Sequence, residues 1–378
     1  MSRIVPGIPG MFEGKFPASY ANDVDGWNFP RETIQRERGR LLTMDIDFGN
    51  DCSLNCPHCF RRSGNIDKSS ELSYEETLDV IMQGKELGLE AVKFLGAGEP
   101  FEDERLLDFL EYLKSLEIKP LIFTKGHVIG DDALARKYFG HMGVSGSEEL
   151  VRKLAETGAR ILLGFRHFDT EKEDMSVGNV QGYSLKRNRA LELLADAGFN
   201  RHSPTHLCLA TNPVTRSNLD EVFEIYTWAR ERNLYPIVTP AMVSGRCSRK
   251  GYRDAITPAP EELMELYTKI YRWNIERGIQ TLAQIMEDGI SSYAGATPCH
   301  QVACGVYVTL DGTVLRCPGD DVTVFGNVRE QSLKEIWEGS ENHQRSGTYN
   351  CHCPPKDGRT IPLEFYSSVL EGLESEHG

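Results

Sequence analysis

The sequence predicts an α/β protein on a parallel sheet, either a barrel or an open doubly wound sheet, followed by a small α+β unit. Six apolar runs recur at intervals of roughly 30 to 50 residues between positions 41 and 240, and amphipathic helical patterns fill most of the gaps. Near residue 285 the alternation stops and a turn-punctuated, cysteine-bearing texture takes over.

The runs are LLTMDIDF (41–48), AVKFL (91–95), PLIFT (120–124), ILLGF (161–165), THLCLAT (205–211) and PIVTP (236–240). Strands this short and apolar, each feeding a helix, are expected to pair in parallel through right-handed crossovers. Helices are expected over SYEETLDVIMQGKELG, where Ser73 and Glu76 have capping-box spacing, and over RLLDFLEYLKSL, SLKRNRALELLADAG and NLDEVFEIYTWARERN. The long gap between the third and fourth runs holds an extra helical stretch near DDALARKYFGHMGVSG, expected as a peripheral insertion. EELMELYTKIYRWNIERG ends the alternation. VYVTLDGTVLRC then reads as two short strands about an Asp311-Gly312 turn, and SLKEIWEG as a short helix. The expected division is an N-terminal extension (1–40), a core barrel (41–280), a small cysteine-bearing domain (285–360) and a C-terminal tail (361–378).

Composition narrows the function. A chain of 378 residues with 40% hydrophobic content can bury a large core. A formal charge of -14 with no basic run argues against a nucleic-acid partner. No stretch approaches the roughly 18 apolar residues of a membrane span, and the N-terminus lacks an apolar signal region, so no membrane association and a cytoplasmic location are expected. Ten cysteines without an export signal point to metal binding or catalysis rather than disulfides.

Three of those thiols crowd into DCSLNCPHCF, as Cys52, Cys56 and Cys59, just past the first strand, at the end of a parallel sheet where active sites collect. A structural zinc site closes with four protein ligands, and no fourth cysteine follows locally, although His58 keeps a zinc site open as an alternative. Electron-carrying clusters take four cysteines, so a trio leaves one iron open to a substrate or cofactor.

The run Cys52-Ser-Leu-Asn-Cys56-Pro-His-Cys59 resembles the cluster loop of the radical S-adenosylmethionine (radical SAM) superfamily. GAGEP, Gly96 to Pro100, resembles that family's Gly-Gly-Glu-Pro segment, with Ala97 replacing the usual second glycine. The resemblance implies a partial (β/α)6 barrel and a [4Fe-4S] cluster on the three cysteines. It also implies SAM chelating the open iron, with Gly96, Gly98, Glu99 and Pro100 receiving its amino group. Cys299, Cys304 and Cys317, with Gly312 five residues before the last, resemble the start of the SPASM/Twitch auxiliary-cluster domain, and GNV with SLKEIW resembles its tail. That implies one auxiliary [4Fe-4S] cluster, in the shorter Twitch form, with Cys351 or Cys353 returning as a further ligand; a zinc ribbon on the same thiols is the alternative.

Arg166, ending the fourth run, is expected either to pair with the SAM carboxylate or to form a surface ion pair with Asp169 or Glu171. Thr124 and Lys125 end the third run at the same mouth. Cys208, Cys247 and His167 read as packed residues. Asp45 and Asp47 share one face of the first strand and are expected either to grip a polar substrate in the lumen or to face solvent.

The expected activity is reductive cleavage of SAM to a 5'-deoxyadenosyl radical that abstracts hydrogen from a small polar substrate, a sugar, aminocyclitol or nucleoside. Oxidation, epimerisation or elimination would follow. The roughly 40 residues before the barrel look too few for a peptide-recognition domain. Maturation of a ribosomal peptide with a separate recognition partner is the alternative, and a non-catalytic iron-sulfur or zinc protein is a third. The low-potential cluster implies a reducing partner such as flavodoxin or ferredoxin.

Overall fold

The computed structural model describes residues 3–61, 68–349 and 353–375, so Cys351 lies outside the described residues. Six strands follow the six apolar runs: β1 (Thr43–Ile46), β2 (Ala91–Phe94), β3 (Lys119–Thr124), β4 (Arg160–Gly164), β5 (Leu207–Val214) and β6 (Tyr235–Pro240). They pair in parallel and in sequence order, and β6 forms one end of the sheet without pairing to β1, so the arc is a partial barrel. At the other side β7 (Gly305–Val308) lies parallel to β1, and β8 (Thr313–Leu315) and β9 (Val324–Asn327) continue antiparallel. The C-terminal hairpin is thus an extension of the same sheet.

Period-two alternation sorts the strand residues between two cores. Ile122, Ile161, Leu163, Leu207 and Leu209 face outward into the layer of helices. Leu121, Leu162 and Cys208 face inward, where they meet Val24 and Trp27 of the N-terminal segment. Each fully buried Leu or Ile contributes about 1.5–3 kcal/mol, so both layers are needed to hold the arc. Some of the helices between the strands begin with side-chain caps. Ser73 and Glu76 form a reciprocal capping box on Tyr74–Glu86, and Asp131 caps the inserted helix Asp132–Phe139.

The N-terminal segment closes the floor of the arc. Asp25 accepts hydrogen bonds from Lys119 (2.8 Å) and Arg160, the residues that open β3 and β4, and Val24 bridges to Thr205 just before β5. Trp27 rises into the lumen against Phe123 and Tyr293, with ring centroids 5.6 and 6.0 Å away. A cavity remains at the C-terminal ends of the strands. The far end of the chain folds back too: helix Phe365–Glu374 packs on helix Pro260–Arg277, with Phe365 edge-on to Tyr267 at 4.8 Å.

Candidate active site

The loop after β1 carries Cys52, Cys56 and Cys59 and has little regular structure of its own, so distant segments fix it. Asn55 N–H donates to Val177 O (2.9 Å), and Glu99 N–H to Asp51 O (2.9 Å). The Arg246 guanidinium donates to Cys56 O (2.7 Å) and Asn55 Oδ1 (2.6 Å), while its backbone N–H donates to Cys59 O (2.9 Å). Two glycines permit this approach. A Cβ at Gly98 would lie 2.6 Å from Gly49 O, and one at Gly245, whose φ is +53°, would lie 1.9 Å from Phe60 O.

The three cysteines line one cavity of about 150 Å³, facing Gly96, Gly98 and Glu99 at the end of β2 and Thr124 at the end of β3. Among the described residues no three potential ligands converge on a single ion. A multi-iron cluster takes one thiolate per iron, and three cysteines lining one cavity fit that arrangement.

Glu99 is buried and already well bonded. Its carboxylate accepts from Thr124 Oγ1 (2.5 Å), Lys125 N–H (2.8 Å) and Phe101 N–H (3.4 Å), and Pro100 starts the short 3-10 turn that supplies the last of these. Burial pushes its carboxyl up; the field of His127 and these hydrogen bonds oppose the shift. A carboxylate offers about four lone-pair positions, so one is left for a cation in the cavity.

Arg166 stands behind the cavity wall. It does not pair with Asp169, which caps the helix Thr170–Ser176 instead. Its Nη1 lies 2.7 Å from His58 Nδ1, its Nη2 donates to Thr215 Oγ1 (3.1 Å), and its Nε has no partner among the described residues. Burial and the Arg166 charge hold His58 well below its usual range, so the imidazole is a neutral acceptor and Arg166 braces the cysteine loop from within. His167 is buried against Glu221 at 2.9 Å. Lys125 does line the cavity.

Two groups at this mouth escaped the sequence reading. Cys247 is buried, as expected, yet it lines the same cavity as the trio, its thiol 3.7 Å from His58 O, and burial pushes it up to about 11. The signal was Ser244-Gly245-Arg246-Cys247 shortly after β6, where a glycine, a cation and a thiol follow a strand's C-terminal end. Glu102 accepts from Ser53 N–H and Oγ (2.9 and 2.7 Å) and pairs with His127 at 2.9 Å. Burial raises its carboxyl, but these bonds win and hold it at about 2.

A second cavity, of about 50 Å³, is lined by Cys299, Cys317 and Cys353 together with Trp27, Asp45 and Lys93. Cys304 is not among its lining residues: it ends the short helix Gln301–Cys304 and donates to His300 O (3.2 Å). Burial pushes the Cys317 thiol well above its usual range and the Cys353 thiol up, the desolvation a ligating metal would relieve. Asp45 and Asp47 part company. Asp45 faces this cavity and is raised to about 6 by burial, which Lys93 opposes, whereas Asp47 accepts hydrogen bonds from Tyr307 and Leu310 N–H. Leu95 and Met242 line both cavities, so the two stand wall to wall.

The Radical SAM superfamily model matches residues 46–229, and the SPASM model, an iron-sulfur cluster-binding domain, matches residues 299–354. The chain belongs to the radical SAM superfamily. Its cofactors are therefore a [4Fe-4S] cluster and SAM, with auxiliary iron-sulfur binding in the SPASM region. This radical SAM chain is 23% identical over 328 residues to a PqqA peptide cyclase of Granulibacter bethesdensis, covering 83% of this chain and 77% of that one. It is 24% identical over 322 residues to an AdoMet-dependent heme synthase of Methanosarcina barkeri, covering 80% and 83%. Among solved structures, Streptococcus suis SuiB bound to its precursor peptide SuiA aligns with TM-score 0.57 at 15% identity, covering 83% of this chain and 69% of that one. anSMEcpe with bound AdoMet and Kp18Cys peptide aligns with TM-score 0.56 at 16% identity, covering 88% and 96%. Likenesses at such identities establish the fold.

These relatives overturn the expectation of a small sugar-like substrate and of a small-molecule partner. The expectation leaned on the shortness of the N-terminal extension. In the radical SAM fold seen here that segment floors the barrel through Asp25 and Trp27, so its length carries no information about substrate size. No helix among the described residues is long and apolar enough to cross a membrane.

Proposed function

We propose that this protein is a radical SAM enzyme that modifies a peptide, with Cys52, Cys56 and Cys59 holding the SAM-binding cluster and Cys299, Cys317 and Cys353 holding an auxiliary one. The observation that carries the reading is the shared wall of Leu95 and Met242: a residue presented at the first cavity lies beside the second. The peptide class is supported by the similarity to a PqqA peptide cyclase along most of both chains. The bound cofactor supplies, on reduction, a 5'-deoxyadenosyl radical able to take hydrogen from an unactivated C–H bond.

The chain's own residues bind and orient. Gly96 and Gly98 let the chain after β1 close against the end of β2, the remaining lone pair of Glu99 would receive the amino group of SAM, and Thr124 keeps that carboxylate turned to the cavity. Arg166, through His58, and Arg246, through two carbonyl-side contacts, hold the cysteine loop in register. The enclosing wall of Leu54, Phe60 and Phe123 excludes water from the reacting carbon. The working organisation is a core over 41–280 and an auxiliary-cluster region over 285–360, and the compartment we infer is the cytoplasm, where thiolate-bound iron is kept reduced.

The test is anaerobic incubation of reconstituted, dithionite-reduced enzyme with SAM and with precursor peptides encoded beside its gene. The expected result is 5'-deoxyadenosine together with a peptide that has lost hydrogen, read by mass spectrometry. SAM cleavage that leaves the mass of every such peptide unchanged would overturn the reading.

A further inference from the structure

Two buried lysines stand at the second cavity, Lys93 in its lining and Lys356 against the Tyr293 ring that lines it, and their surroundings are unusual for ammonium groups. Lys93, on β2, is 4% exposed; its Nζ sits 4.7 Å over the Trp27 ring and donates to Gln301 Oε1 at 3.4 Å. Lys356, three residues after Cys353, is 0% exposed; its Nζ sits 4.3 Å over the Tyr293 ring and donates to Thr239 Oγ1 at 2.6 Å. Trp27 and Tyr293 both line the cavity. Neither ammonium forms an ion pair with a carboxylate among the described residues. Asp45, opposite Lys93 in the strand register, and the buried Asp23 feel its charge without closing to an ion pair; burial raises their carboxyls to about 6 and about 7, so each offsets Lys93 only in part.

A buried cation that stacks on an aromatic ring and bonds one neutral oxygen is under-compensated. The negative charge that balances it has to come from the cavity. Besides Asp45, the groups there able to carry one are the thiols of Cys299, Cys317 and Cys353. Thiolates bound to iron and sulfide bring net negative charge into a dry site, and one more electron makes it more negative still. Positive charge fixed beside it favours the reduced state.

We propose that Lys93 and Lys356 are the fixed counter-charges of the auxiliary cluster: positioning residues that raise its reduction potential and so set how readily it takes up an electron. This rests on the assignment of Cys299, Cys317 and Cys353 as its ligands. Neither lysine needs to touch substrate for the effect.

The experiment is an anaerobic redox titration of the reconstituted holoenzyme followed by electron paramagnetic resonance, comparing wild type with Lys93→Met and Lys356→Met, and with the charge-keeping Lys93→Arg and Lys356→Arg. Each Met substitution is expected to lower the reduced-to-oxidised ratio of the auxiliary cluster at a given potential about tenfold, which is about 59 mV for a one-electron couple. The SAM-site cluster in the same sample should not move, and the Arg variants should stay near wild type. Loss of the auxiliary cluster in the Met variants with retention in the Arg variants would also support a counter-charge role. An unshifted potential at full iron and sulfide content, or equal loss in Met and Arg variants, overturns the proposal. Wild-type protein that takes up iron and sulfide for one cluster only would instead sink the ligand assignment beneath it.

Discussion

Cys52, Cys56 and Cys59 reach their cavity on one loop spanning eight residues, whereas Cys299, Cys317 and Cys353 converge on theirs from three separate segments. The first loop has little structure of its own and is clamped from outside, by Arg246, by Val177 and by the β2 glycines. The second set is woven into the fold. Cys317 stands two residues past the end of β8, and Cys353 heads the turn whose N–H groups at Lys356 and Asp357 bond back to its carbonyl. The difference teaches that the first site can lose its cluster and leave the protein folded, while the second is a tie between segments whose order depends on it.

The sharpest way to break that comparison is to remove one ligand from each. Cys56→Ala should abolish formation of 5'-deoxyadenosine, a loss of at least about a thousandfold, since chemistry stops altogether and only background remains. Its melting temperature should stay within a degree or two of the wild type, about the effect of a change well under 1 kcal/mol. Cys317→Ala should retain SAM cleavage within a few fold and lose product formation on the true substrate. It should also melt about 4 °C or more below wild type. Chromatography of 5'-deoxyadenosine and calorimetry under anaerobic conditions read both; a Cys56→Ala protein that melts as early as Cys317→Ala would erase the distinction.

A middle-sized effect tests the outside clamp. In Gly245→Ala the added Cβ would fall 1.9 Å from Phe60 O at a φ of +53°, so either the loop or the turn has to move. The left-handed conformation alone costs an alanine roughly 1–2 kcal/mol. Shifting groups that orient metal ligands typically weakens binding about 10- to 100-fold. The expected result is poor iron retention at the N-terminal site on dilution, with the auxiliary cluster intact. Full retention of both clusters would mean that the cysteine loop holds itself.

How much of this was legible follows the same division. The six strands were readable to within about two residues, except at the far end of β5, because buried parallel strands are continuous apolar runs that need no partner information. The cysteine trio was legible because its ligands are neighbours in sequence. What failed depended on distance. Asp25 and Trp27 lie in a stretch with no period, and only the folded chain shows them sealing the barrel floor. Cys247 sits about 190 residues from Cys59 in sequence, yet on the same cavity wall. β9 was invisible because VFGN contains a glycine and gains its strand character from pairing with β8.

Cys304 gives the smallest and most discriminating prediction. By spacing it belongs with Cys299 and Cys317, and the sequence expectation counts all three as ligands. In the structure, residues Gln301–Cys304 form a single helical turn, and helical geometry carries the Cys304 thiol back to the carbonyl of His300, four residues earlier. The Cys299 thiol, just before that turn, is left on the cavity wall. Cys304→Ala should therefore remove one weak S–H hydrogen bond and a small buried volume, costing about 1 kcal/mol of stability. Iron and sulfide content and the spectrum of the auxiliary cluster should match wild type, while Cys299→Ala loses that cluster. Should Cys304→Ala lose it as well, the turn must rearrange around bound iron, and Cys304 would join the ligands of the second site.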